Sequence, residues 1–224
     1  MARQPEAGAR DRILDVASRL FLEHGVHPVG LQQIIDECGC GKNLLYTHFA
    51  SKDELVVAYL RRCRREWEAI IGQSIQQAGD DPADQLIAVV RAVGGQVRDP
   101  GYRGCPFLNT HAEFRDPGHP AHQVAVEHFE ALHRQLADLA ARAGLRDAPG
   151  VAERILLIVY GLYSTGAVLG GRDAVPSAIA LAEQTIRAAR PSAHAASALT
   201  GTAEAAAFAP EPSPGHADTV PQPR

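Results

Sequence analysis

The chain has 224 residues, 46% hydrophobic and 21% charged, which allows one large or two small domains and is too apolar for a chain that stays unfolded. Twenty-two Lys and Arg against 26 Asp and Glu give a formal net charge of −4, which excludes a protein that coats nucleic acid by bulk attraction but leaves room for a basic face on an acidic body. The charge is uneven: residues 1–65 hold 10 basic and 8 acidic side chains, whereas residues 66–224 hold 12 and 18.

The N-terminal residues have no apolar run of the kind a secretory signal needs, so a cytoplasmic location is expected. In that compartment Cys38, Cys40, Cys63 and Cys105 are expected as reduced thiols, and no C-x-x-C spacing suggests a zinc ribbon. Apolar residues recur at helical spacing almost throughout, with no period-2 strand between turn signals, so the fold class is all-α.

Ile13, Leu14, Ala17, Leu20 and Phe21 share one helical face that closes at Gly25. Leu31, Ile34, Ile35 and Cys38 make a short second stripe ending at Gly39, and a third short helix is predicted from about Lys42 to His48, with Leu45 and Phe49 facing inward. Ser51-Lys52-Asp53-Glu54 has the form of a capping box, in which Ser51 accepts an amide of the first turn and Glu54 reaches back to the amide of the cap. A long fourth helix is predicted from there to about Gln77.

Asp81-Pro82 marks another helix start, and Asp99-Pro100-Gly101 and Asp116-Pro117-Gly118 mark breaks. Phe129, Leu132, Leu136 and Leu139 define a helix ending at Gly144; Val151 to Leu169 and Ala178 to Ala189 carry the last two. The stretch from Ile155 to Gly171 holds 17 uncharged residues, four of them glycine. It is short of the ~20 mostly apolar residues of a spanning helix, so a buried or inter-subunit helix is expected. From Pro191 onward 10 Ala and 6 Pro occur in 34 residues, a composition expected to form a disordered tail.

Two short helices about a glycine turn, Cys38-Gly39-Cys40-Gly41, have the length pattern of a helix-turn-helix. With Arg12-Ile13-Leu14, Ala17, Leu20-Phe21, Gly25, Ile34, Gly39, Leu45-Tyr46, His48-Phe49 and Ser51-Lys52-Asp53-Glu54-Leu55, residues 9–60 resemble the TetR family of one-component transcriptional regulators. The chain departs from the family where Gly30 and Gly41 stand in place of the usual hydroxyl residues opening the second and third helices.

The resemblance implies an N-terminal three-helix DNA-binding domain (1–50), a helical effector-binding and dimerisation domain (51–190) and the tail (191–224). Lys42, Asn43 and Leu44 open the recognition helix, where Asn pairs with adenine and Leu presses on a thymine methyl. Tyr46, Thr47 and His48 are expected on phosphates, joined by Lys52 at a helix N-terminus and by Gln32. The expected function is a homodimeric regulator, a repressor, that binds a palindromic double-stranded operator and is released by a small-molecule effector, with no enzyme activity, cofactor, resident metal or membrane partner.

The basic run Arg61-Arg62-Cys63-Arg64-Arg65 lies about 13 to 20 Å along the helix from Lys52, and its i,i+4 partners Glu66 and Glu68 mark it as a salt-bridged face. The effector domain offers Trp67, Phe107, Phe114, Tyr160 and Tyr163 as pocket aromatics, together with Cys105, Asn109 and His111. Arg103-Gly104-Cys105-Pro106-Phe107 resembles a motif of a TetR subgroup. Arg103 and a helix N-terminus near Cys105 predict a lowered thiol pKa and so an alternative, a switch by oxidation at Cys105. A further alternative uses the histidine cluster His111, His119, His122, His128 and His133, with metal sensing through His119 and His122 or a helical-bundle metalloprotein, although Glu130-x-x-His133 is a single copy of a motif that di-iron bundles need twice. The resemblance also places the last two helices in a dimer interface, where Gly166-x-x-x-Gly170 would permit close approach.

Overall fold

A computed structural model describes residues 8–169 and 174–191. Among these the chain forms nine helices and no strand: α1 (Ala9–His24), α2 (Leu31–Cys38), α3 (Lys42–His48), α4 (Lys52–Gln77), α5 (Pro82–Val97), α6 (Pro106–Glu113), α7 (Pro120–Arg142), α8 (Ala148–Leu169) and α9 (Ala174–Ala189). The expected tail lies outside the described residues, as does Gly170.

Punctuation in the sequence explains most boundaries. Gly25 and Gly39 end α1 and α2 with positive φ of 82° and 62°, a region that costs a side chain and suits glycine. The Ser51 hydroxyl accepts from the Glu54 amide at 3.1 Å, while the Glu54 carboxylate accepts from Ala50 at 2.8 Å. The capping box therefore closes one residue earlier than the expected Ser51 amide. Asp81 caps α5 by accepting from Ala83 at 2.8 Å, with Pro82 at the first helical position. The His119 ring caps α7 through Nδ1, 3.2 Å from the Ala121 amide.

Helices α1 to α3 close over Ile13, Leu20, Phe21, Ile34, Leu45 and Phe49, and Leu55, Val56 and Tyr59 at the start of α4 extend the same core. Helix α4 then runs into the body, where α5, α7, α8 and α9 pack around Val89, Val93, Leu132, Leu136, Ile155, Val159 and Ile186. The apolar cluster is continuous from the N-terminal head to the body.

Helix α8 is long and apolar enough to cross a membrane by length and composition, and its buried residues Ile155, Val159 and Leu162 pack against α5, α7 and α9. Gly166 corrects one expectation. A Cβ there would fall 2.5 Å from Cβ of Val97, so this glycine lets α8 approach α5 within the protomer and does not open a surface for a second copy.

The cysteines correct another. Cys38 and Cys40 form a disulfide, whereas Cys63 and Cys105 are free. Left-handed Gly39 folds the chain back so that the two Cα atoms lie 5.3 Å apart, inside the range a disulfide accepts.

Candidate nucleic-acid interface and ligand cleft

Helix α3 is seven residues long and buries only Leu45. Lys42, Asn43, Tyr46 and Thr47 are exposed, Tyr46 at 44% of its surface, and the Lys42 ammonium lies 6.0 Å from the centre of the Tyr46 ring. The Thr47 hydroxyl donates to the Asn43 carbonyl at 2.8 Å. Neither Gly30 nor Gly41 supplies a side-chain cap, which leaves the amides opening α2 and α3 without that partner.

Two expected DNA contacts, Leu44 and Lys52, are partly engaged within the protein, and a third, His48, is partly buried. Leu44 is half-buried against the core. His48 has a buried Nε2 with no hydrogen-bond partner among the described residues. The Lys52 ammonium donates to the His27 carbonyl at 3.2 Å, and burial lowers its pKa from the usual range. Gln32 is exposed, and its amide donates to Asp36 at 2.8 Å. The basic run on α4 is paired as expected: Arg62 with Glu66 at 3.1 Å and also with Asp15, and Arg64 with Glu68 at 2.9 Å.

A cleft of about 950 Å³ opens between the head and the body. Helix α1 contributes Asp15, Ser18, Arg19 and Leu22; α4 contributes Tyr59, Cys63 and Trp67; α5 and the following turn contribute Gln96 and Tyr102; and the start of α6 contributes Cys105, Pro106 and Phe107. A chain of polar contacts lines one wall: Trp67 Nε1 donates to the Tyr163 hydroxyl at 2.9 Å, that hydroxyl meets Gln96 at 3.4 Å, and the Tyr102 hydroxyl donates to the Tyr163 carbonyl at 3.1 Å. Beside it Phe107 lies flat on His128, centroids 3.7 Å apart, and His128 meets Trp67 edge-on at 4.9 Å.

Of the residues expected to bind ligand, Trp67, Cys105, Phe107 and Tyr163 line this cleft; Asn109, His111, Phe114 and Tyr160 do not. Asn109 bonds the turn before α6, donating to the Arg103 carbonyl at 3.2 Å. The His111 ring lies 4.7 Å from that of His122, and Phe114 stacks between His27 and His119 at 4.7 and 4.3 Å. Tyr160 packs edge-on to Phe129 at 5.3 Å. The α1 residues were not anticipated because nothing in an N-terminal helix signals a cleft to a body folded later in the chain; exposed Leu22, off the apolar face of α1, is the nearest signal.

The expected lowering of the Cys105 pKa is reversed. Burial pushes the thiol up to about 11, while the amides of Leu108 and Phe107 pull weakly the other way. Burial likewise pushes Cys63 up to about 12, so both thiols are held in the weakly reactive neutral form. Among the described residues no three His, Cys, Asp or Glu side chains gather as a metal site requires.

An exposed short helix set on a glycine turn, on a head packed against a helical body, is the arrangement of a helix-turn-helix DNA-binding protein. Comparison with known proteins specifies which. Residues 13–59 match the bacterial regulatory proteins of the tetR family. The chain is 42% identical over 164 residues to the HTH-type transcriptional activator FasR of Mycolicibacterium smegmatis, covering 72% of this chain and 70% of that one. It is 24% identical over 181 residues to the HTH-type transcriptional regulator YjdC of Escherichia coli, covering 81% and 95%. The crystal structure of SCO4454, a TetR-family regulator from Streptomyces coelicolor, superposes with a TM-score of 0.78 at 29% identity over 82% of this chain and 97% of that one. The chain belongs to the TetR family and is a DNA-binding transcriptional regulator rather than an enzyme.

Proposed function

We propose that the protein is a homodimeric repressor, working in the cytoplasm with no membrane partner, that reads a palindromic operator through α3 and releases it when a small molecule fills the cleft. The observation that carries this reading is the cleft wall, which joins α1 of the DNA-binding head to α4, α5 and α6 of the body. An occupant touches both parts and so has the differential contacts that a change of state requires. Its walls of Tyr59, Trp67, Phe107 and Tyr163 suit an apolar or aromatic effector. The head is assigned to residues 1–50 and the effector and dimerisation part to 51–190, with α4 joining them.

Base reading is assigned to Lys42, Asn43 and the free part of Leu44; phosphate contacts to Tyr46, Thr47, His48, Gln32 and Lys52. Dimerisation is assigned to α8 and α9, which leave Leu157 and Leu181 68% and 51% exposed beside a shared groove, an apolar face that a second copy would cover.

The test is an electrophoretic shift with DNA from beside the protein's own gene. Lys42→Ala and Tyr46→Ala are each expected to weaken binding about tenfold. Absence of any shift, or unchanged affinity in both variants, overturns the reading. The sense of regulation follows from a reporter: deletion of the regulator raises expression under repression and lowers it under activation, the role that the name of the mycobacterial relative carries.

A further inference from the structure

Helix α6 is eight residues long, about 12 Å from end to end at 1.5 Å per residue. Its first end stands in the cleft, where Cys105, Pro106 and Phe107 form part of the wall. Its other end grips the head. One carboxylate oxygen of Glu113 accepts from the Val26 amide at 2.9 Å; the other accepts from the His27 amide at 2.6 Å and lies 3.1 Å from His27 Nδ1.

These bonds hold the loop that turns α1 into α2. The loop is held from below as well, by Lys52 on the His27 carbonyl. Beside it Phe114 lies between the rings of His27 and His119, His119 sits 3.3 Å from Asp53, and His122 holds the Phe114 carbonyl at 2.8 Å. Gly25 carries φ +82°, and a Cβ there would come within 3.1 Å of the Glu113 carboxylate, so the chain leaves room for this acid.

We propose that Glu113 is a positioning residue through which the cleft sets the placement of the reading head. A carboxylate on two backbone amides is a strong, directional pair of hydrogen bonds, and it depends on no side chain of the loop. Phe107 and Glu113 lie on one rigid turn-and-a-half of helix, so displacement of Phe107 by an occupant tilts Glu113 against the loop. The inference rests on the effector reading above.

Its test needs no knowledge of the effector. The chain has one tryptophan, Trp67, and it lines the cleft. Linkage is reciprocal, so operator DNA bound at α3 is expected to change Trp67 emission in the wild-type protein. Glu113→Ala removes both acceptors and Glu113→Gln retains one while preserving size. Glu113→Ala is expected to bind operator about tenfold or more weakly and, at saturating DNA, to show no change in Trp67 emission; Glu113→Gln is expected to fall between it and wild type.

A residue that only stabilised the fold would lower the melting temperature and affinity yet leave the emission change at saturation intact, and that result overturns the proposal. So does wild-type protein that binds operator without any change in emission. If Glu113→Ala does not fold, the same emission comparison on Glu113→Gln decides. Wild-type protein that binds no DNA at all instead removes the functional reading beneath it.

Discussion

His128 lies in the apolar wall behind the cleft, flat on Phe107 and edge-on to Trp67, and burial holds its imidazole pKa down at about 4. An unfolded His titrates near 6.5, so between about pH 6.5 and 4 the unfolded chain binds more protons than the folded one. Stability is therefore expected to be unaffected by this group above pH 7 and to fall as pH drops through that window, by at most about 3 kcal/mol. His128→Phe, measured by urea unfolding at pH 7 and pH 5, is expected to flatten that dependence; equal slopes in variant and wild type would refute it. At Cys105 the same cause, burial, removes the reactivity that a nearby Arg103 suggested. Cys105→Ser is accordingly expected to leave the response of operator binding to mild peroxide unchanged. Neither residue's environment was legible in sequence, because burial depends on which helices pack over a position and not on its neighbours in the chain.

At the scale of elements, helix starts and stops follow local chemistry. Ser51, Asp81, Pro82, Gly25 and Gly39 satisfy or release backbone groups within a few residues, so their consequences were readable directly. Ser51→Ala is expected to lower stability by about 1 kcal/mol through loss of the cap, visible in a chemical denaturation midpoint. Gly166 shows the opposite limit. Its spacing to Gly170 suggested contact with a second copy, whereas the packed body uses it to seat α8 on Val97. Gly166→Ala is expected to cost about 1 to 3 kcal/mol by overpacking without altering the monomer–dimer equilibrium; a shift in sedimentation toward monomer with unchanged melting would reverse that assignment. The Cys38–Cys40 bond encloses a single residue, so reduction is expected to destabilise the head by less than the ~3 kcal/mol of a 15-residue loop.

At the scale of the molecule, the head, residues 1–50, holds 5 basic against 6 acidic side chains, and the slight positive excess over residues 1–65 comes from the start of α4, so operator affinity is expected to rest on placed contacts. Loss of Lys52, the cation assigned to phosphate, from both copies of a dimer is expected to reduce the slope of log affinity against log salt by about 2, measured by titration at several salt concentrations. The exposed apolar strip of α8 and α9 predicts that Leu157→Asp with Leu181→Asp yields monomers in sedimentation and loses operator binding, since a palindromic site needs two heads at fixed spacing.

The sequence by itself determined that the chain is all-α and where most of its helices begin and end, because periodicity, caps and turns act over a few residues; that residues 9–60 carry a DNA-reading unit was legible through their resemblance to the TetR family. Tertiary structure alone decided that the cleft opens onto α1, that residues 111–114 lie at the junction with the head and not in the cleft wall, and that Glu113 holds a loop 86 positions away in the chain. Those outcomes depend on how long helices cross, and contacts so distant in sequence leave no local pattern to read.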